Sequence, residues 1–234
     1  MGGWLRFNRD PSLRLPAESV TSVTGGSERR LGVFGGTFDP PHIGHLLAAV
    51  SARDFLGLDR ILMVPNGDPW QKRDRRRITP AEVRLEMVVA ATQGVPGVDV
   101  SDLEVRRDGP SYAVDTVAAL RSTHADLDIT LILGRDAAAG LASWHRHHDL
   151  LRSVELGIVE RPGCRATPGD DVVGSTRVSV VGMPRVDVSS SDIRQRVAQG
   201  RPIDVMVPPA VVDLISSHGL YRVSLGPVAT APDR

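Results

Sequence analysis

The chain has 234 residues, 41% of them hydrophobic and 24% charged, with Lys+Arg and Asp+Glu balanced at 28 each. That is enough for one medium domain with a full core; it gives no global attraction to nucleic acid or an anionic membrane, and no apolar run approaches the ~20 residues that span a bilayer. The single cysteine, Cys164, excludes an intrachain disulfide and argues against a cysteine-rich metal site.

Residues 1–29 mix Gly, Ser, Pro and charge without periodicity and read as a flexible tail. They hold no signal-peptide core, and Arg6 breaks a myristoylation pattern. Leu31–Phe34 then reads as a buried strand meeting Gly35-Gly36. Residues 42–56 predict a helix with Ile43, Leu46, Leu47 and Val50 on one face and Pro41 at its start. Arg60–Val64 is a second strand, followed by a polar, basic loop over 66–78. A helix is expected over 80–92, with Thr79 as N-cap and Glu82 three positions on. A strand near 98–105 and a helix from Ser111 to Ser122 come next. Ile129–Leu133 is a buried strand, with helical turns over 136–152. Leu156–Val159 and Arg177–Val181 are strands, and 190–199 and 208–217 are helices. Residues 162–176, rich in Pro and Gly, read as a flexible loop, and residues after Tyr221 as loose. Strands separated by helices predict an α/β fold, a Rossmann-like parallel sheet flanked by helices with a small C-terminal helical portion. The expected organisation is one domain over 30–222 between two tails, 1–29 and 223–234.

The clearest chemical signal is Gly35-Gly36-Thr37-Phe38-Asp39-Pro40-Pro41-His42-Ile43-Gly44-His45. A strand runs into two glycines, then a loop, then a helix start. Glycines let backbone approach a phosphate, and a helix N-terminus offers N–H groups and a positive dipole end. His42 and His45, at i and i+3, share one face of the first turn and can donate to oxygens that gain charge. A plain glycine turn with two surface histidines is the alternative. No third ligand accompanies the pair for a metal, and no Gly-Lys-Ser/Thr follows for a Walker loop. A dinucleotide dehydrogenase lacks its Gly-x-Gly-x-x-Gly fingerprint here.

This motif resembles that of the (H/T)xGH nucleotidylyltransferase superfamily. In particular it is similar to the bacterial nicotinate-mononucleotide adenylyltransferases, the actinobacterial type above all, in register over roughly 30–222. Pro69-Trp70-Gln71-Lys72 matches a phosphate-contacting loop of those enzymes. Lys72 is the only lysine among the 28 basic residues. A compact ammonium and a planar guanidinium are not interchangeable around phosphate, so retention of this lysine amid arginines is informative. Val188-Ser189-Ser190-Ser191-Asp192-Ile193-Arg194 resembles the family's Ile-Ser-Ser-Thr-x-Ile-Arg. By itself that segment signals helix capping, which uses the same exposed N–H groups as anion binding.

The resemblance implies transfer of the adenylyl group of ATP, as Mg-ATP, to the phosphate of nicotinate mononucleotide. It implies ATP contacts at Gly35, Gly36, Thr37, Phe38, His42, His45, Lys72, Ser189, Ser190, Ile193 and Arg194. His42, His45, Lys72 and Arg194 are then the catalytic groups, with Mg²⁺ carried by phosphate oxygens and no protein metal site. The acceptor side is implied at Ser111, Tyr112 and Ala113, at Gly134 and Asp136, at Trp144 against the pyridine ring, and at Arg161. Asp136 reads equally as an N-cap. Ala113 and Arg135 depart from the family pattern, which leaves open another acceptor, such as nicotinamide mononucleotide. A nucleotide-binding regulatory module without turnover is a further alternative. His145, His147, His148 and Asp149 read as a solvated helix face rather than a metal site. A cytoplasmic location is expected, without nucleic-acid or membrane partners, and a homo-oligomer is compatible with the sequence.

Lys72→Arg should clearly reduce adenylyl transfer. Steady-state kinetics unchanged from wild type would make the lone lysine incidental.

Overall fold

The computed structural model describes residues 29–69, 78–160, 174 and 176–222. Both expected tails, apart from Arg29, lie outside the described residues. So do Trp70, Gln71 and Lys72, Arg161, Cys164 and most of the loop expected over 162–176.

Six parallel strands form one sheet: β1 (Arg30–Gly36), β2 (Arg60–Pro65), β3 (Val98–Val100), β4 (Asp128–Gly134), β5 (Glu155–Glu160) and β6 (Val178–Gly182). Their order is β3-β2-β1-β4-β5-β6. The helices are α1 (Ile43–Leu56), α2 (Ala81–Thr92), α3 (Ala113–Thr123), α4 (Arg135–Ala139), α5 (His147–Ser153), α6 (Ser190–Ala198) and α7 (Pro209–Ser217). None is long and apolar enough to cross a membrane. Strand order reverses between β1 and β4. The connections leaving their carboxyl ends diverge there and open a crevice, where α/β sheets bind ligands.

Strands buried on both faces show near-continuous apolar runs. The pleat then deals alternate residues to two cores. Leu31, Val33, Leu62, Val64, Ile129, Leu131 and Leu133 pack with α3 and α5. Phe34, Ile61, Met63 and Ile132 pack on the other face with α1 and α2.

A third core joins Met87 and Ala91 of α2 to Val188, Ile193, Val207, Val211 and Ile215. Ile43 and Leu46 at the head of α1 pack against it. Burial of side chains this size stabilises by about 1.5–3 kcal/mol each. This core fastens the C-terminal helices, and with them Arg194, beside the loop that follows β1.

Three local expectations need correction. The apolar stripe of α1 is only part of its buried face: Ile43, Leu46 and Leu47 are half-buried against two cores. Gly44, Ala48, Ala49 and Ala52 are buried, while Val50 is exposed. Small residues let the helix lie close to the sheet, and the larger ones flank that contact. Thr79 does not cap α2; Pro80 is the N-cap residue, and no side chain caps that end. The Thr79 N–H faces Asp39 Oδ2 at 3.5 Å instead. Finally, β3 ends at Val100, short of 105, after which the chain turns inward and buries Glu104. The helical turns expected over 136–152 are present as α4, a 3-10 turn at Leu141–Ser143 and α5, interrupted at Gly140 and at Arg146, which takes a left-handed φ of 51°.

Arg84 of α2 is 1% exposed. Its guanidinium donates to the carbonyls of Thr37 at 2.8 Å, Gly67 at 3.1 Å and Thr79 at 2.8 Å. These lie after β1, after β2 and before α2. Gly67 must pass close by: a Cβ there would sit 2.1 Å from the Glu104 carbonyl oxygen. Arg84→Met should cost about 3 kcal/mol or more, because three carbonyls lose a charged donor. Urea unfolding measures this, and a loss below about 1 kcal/mol would contradict the assignment.

Candidate active site

The loop after β1 is shaped by Phe38. Its ring is 3% exposed and lies edge-on to Phe34 at 5.7 Å and to His45 at 5.0 Å. Phe38 reaches this place with a φ of 47°, uncommon for a non-glycine residue. A Cβ at Gly36 would meet the Phe38 ring at 2.8 Å, so the second glycine serves the packing of this ring. A Cβ at Gly35 would meet nothing within 4 Å, which leaves open space at the end of β1.

His42 is the N-cap residue of α1, and His45 lies three positions on. His45 Nδ1 accepts the His42 backbone N–H at 3.2 Å, and the two rings stack at 3.7 Å. With Nδ1 accepting, the His45 ring in this arrangement carries its proton on Nε2. The helix start offers less open backbone than its position suggests. The Ile43 N–H donates to the Met206 carbonyl at 3.0 Å.

Asp39 is 1% exposed and gathers partners from distant segments. Tyr221 Oη donates to Asp39 Oδ1 at 2.6 Å. Arg194 Nη1 donates to the Asp39 carbonyl at 2.7 Å, and Nη2 to Ser191 Oγ at 3.0 Å. Ser190 Oγ donates to the Pro40 carbonyl at 2.8 Å. Burial, and next the Asp39 carboxylate, hold the Tyr221 hydroxyl far above its ordinary range. Ser189 caps α6 by accepting the Asp192 N–H at 3.1 Å. The Ile193 side chain is fully buried in the third core. Only the backbone of Ile193 is left for a ligand, and its N–H already meets the Ser189 carbonyl at 3.1 Å.

Beside this group a cavity of about 180 Å³ opens between the carboxyl ends of β1 and β4. Gly35, Gly36, Thr37, Ser111, Tyr112, Ala113, Gly134 and Trp144 lie in its wall, as the motifs suggest. Gly36 and Thr37 belong to both the cavity and the histidine loop. Ser111 is sewn to the loop after β2 by paired bonds with Asp68 at 3.0 and 3.2 Å. Asp136 is neither N-cap nor wall: Gly134 is the N-cap residue of α4, and Asp136 is fully exposed, 4.0 Å from Arg135. His145 stacks on Tyr112 at 4.2 Å, and Asp149 pairs with Arg146 at 2.8 Å. The Arg146 hydrogen bond chiefly lowers the Asp149 pKa. Among the described residues, no three His, Cys, Asp or Glu side chains are grouped to hold a metal ion.

The motifs do not point to Asn66, Arg84, Glu104 or Tyr221. Glu104 is 4% exposed, lines the cavity, and accepts from Thr116 Oγ1 at 2.6 Å and Asn66 Nδ2 at 2.9 Å. An acidic residue among alternating apolar ones after β3 is the only local hint.

A cytidylyltransferase-like family model matches residues 33–196. A protein of Acidothermus cellulolyticus named "Probable nicotinate-nucleotide adenylyltransferase" is 42% identical over 84% of this chain and 96% of its own. One of Saccharopolyspora erythraea with the same name is 41% identical over 83% and 90%. The structure is similar to that of Plasmodium falciparum nicotinic acid mononucleotide adenylyltransferase complexed with NaAD. The TM-score is 0.67 at 19% identity, over 82% of this chain and 97% of that one.

Tyr221→Phe should destabilise the chain by about 1–3 kcal/mol through loss of a buried donor. Because the folded state raises the tyrosine pKa above its ordinary 10.0, the stabilisation holds below that pH and fades as pH rises further. Urea unfolding from pH 7 to 11 reads both effects. A gap between variant and wild type that widens above pH 10 would contradict them.

Proposed function

This chain belongs to the cytidylyltransferase-like family, and on that premise we propose that it is a nicotinate-nucleotide adenylyltransferase, moving the adenylyl group of ATP to the phosphate of nicotinate mononucleotide. A phosphate oxygen of the acceptor attacks the α-phosphorus. The new P–O bond forms as the α–β bridging bond breaks, giving nicotinate adenine dinucleotide and pyrophosphate. No covalent enzyme nucleophile is needed, because a phosphate monoester is itself nucleophilic near neutral pH. Positioning and charge stabilisation supply the rate.

One observation supports this reading above the others: the histidine pair and the cavity share Gly36 and Thr37, so a donor and an acceptor can meet across one loop. ATP takes the side of Gly35, Gly36, Thr37, Phe38, Ser189 and Ser190, with Ile193 anchoring that helix start in the third core. His42 and His45 hold its phosphates, with His45 Nε2–H donating to oxygen that gains charge. Arg194 lies on the same side, and the resemblance gives Lys72 a share in neutralising the phosphates. Magnesium enters as part of the Mg-ATP substrate, held by phosphate oxygens.

The nicotinate ring takes the cavity beside Trp144 and Tyr112. Backbone at Ser111–Ala113, where α3 begins, receives its carboxylate. Because that contact is with backbone, alanine at 113 preserves it. Arg135 is outside the cavity wall, so its departure from the family pattern leaves the pocket intact. Gly134, in the wall, takes the ribose side, while Asp136 stands exposed outside that wall; the resemblance gives Arg161 a share in acceptor binding. The reaction needs no nucleic acid or membrane partner.

Pyrophosphate release from Mg-ATP tests this with nicotinate mononucleotide, nicotinamide mononucleotide and phosphopantetheine as acceptors. Turnover is expected with the first above all. Silence with every acceptor, in protein that binds ATP, would favour a binding module. His45→Ala should cut kcat by about 100-fold, as loss of one oxyanion donor does. A near-normal kcat would remove His45 from the mechanism.

A further inference from the structure

The proposed acceptor is an anion, yet the only Asp, Glu, Lys or Arg in the described cavity wall is Glu104. We propose that Arg107 masks Glu104 and thereby lets this cavity prefer an acid over an amide on the pyridine ring. This rests on the adenylyltransferase reading above.

The masking is built as a relay. Glu104 Oε1 accepts the Thr116 hydroxyl at 2.6 Å, and that hydroxyl accepts Arg107 Nη2 at 2.9 Å. The same Arg107 nitrogen lies 3.9 Å from Glu104 Oε1. Glu104 Oε2 accepts Asn66 Nδ2 at 2.9 Å. Both carboxylate oxygens are therefore met by donors, and one guanidinium balances the charge. The Arg107 side chain is 26% exposed and that of Glu104 only 4%. The cation stands at the rim and the anion inside.

Thr116 belongs to the first turn of α3, at whose start Tyr112 and Ala113 line the cavity. A carboxylate bound at those residues lies about one helical turn, roughly 5 Å, along the axis from the Thr116 level. Nicotinate and nicotinamide differ there by one negative charge. An unbalanced Glu104 repels the first and leaves the second almost unaffected. With Arg107 present that penalty is cancelled, and the positive end of α3 decides in favour of the acid.

The test compares kcat/KM for nicotinate and nicotinamide mononucleotides in the intact chain. Arg107→Met should lower the acid-to-amide ratio about tenfold, mainly through KM for the acid. Arg107→Lys keeps the charge and should hold the ratio within about threefold of wild type. Glu104→Gln combined with Arg107→Met removes both charges and should restore the ratio, although it removes more native contacts than either single change. A merely structural role predicts the opposite, with both acceptors weakened together and the double variant worst. That result, or a ratio unmoved by Arg107→Met, overturns the proposal. ATP binding by calorimetry reports that each variant is folded. If wild type binds ATP but turns over neither mononucleotide, the adenylyltransferase reading fails first and this inference falls with it.

Discussion

The guanidinium of Arg84 is the constraint on which the site rests. It is buried and donates to carbonyls after β1, after β2 and before α2, three segments with no reason to meet otherwise. Removing a charge from water is costly unless its donors are used, so the folded state commits those segments to one arrangement. The consequences propagate. Thr37, held through its carbonyl, precedes Phe38 in its left-handed conformation. Phe38 then supports His45. Gly67 is held against the Glu104 backbone, which brings the loop after β2 toward the acceptor cavity.

A second set of ties closes the loop from the other side. Asp39 accepts from Tyr221, while its carbonyl and that of Pro40 receive Arg194 and Ser190. The third core delivers these groups, since Ile193 and Val211 pack against Met87 of the helix that carries Arg84. One helix therefore anchors both the buried arginine and the C-terminal portion bearing Arg194. The loop after β1 is tied from both sides, and the cavity beside it draws polar wall from Asn66, Glu104 and the start of α3.

Much of this architecture is legible in the amino-acid sequence itself. Four strands, β1, β2, β4 and β5, show as apolar runs because they are buried on both faces of a parallel sheet, whereas the edge strands β3 and β6 carry Asp99 and Ser179 among their valines. The glycine-histidine loop is visible because the turn after β1 needs residues without side chains, Gly36 above all, where a Cβ would strike the Phe38 ring. What escapes a sequence reading is the set of interactions between residues far apart along the chain. Nothing local marks Arg84 as buried, since its three carbonyl partners leave no trace in side-chain identity. Tyr221 reads only as the residue before a loose end, not as a partner of Asp39. The misread face of α1 has a different cause: hydrophobicity favours the larger side chains, whereas close contact with the sheet selects Gly44, Ala48, Ala49 and Ala52. Thr79 satisfies a capping pattern in sequence, yet the site uses its backbone elsewhere.

The bond between Asp39 and Tyr221 spans 182 residues. At a translation rate of about 5–20 residues per second, roughly 10 to 40 seconds separate the synthesis of its two ends. Throughout that interval the nascent chain carries the glycine loop and both histidines without the phenol that fastens Asp39. The loop after β1 is thus made with the first strand and latched only after the sixth has been made.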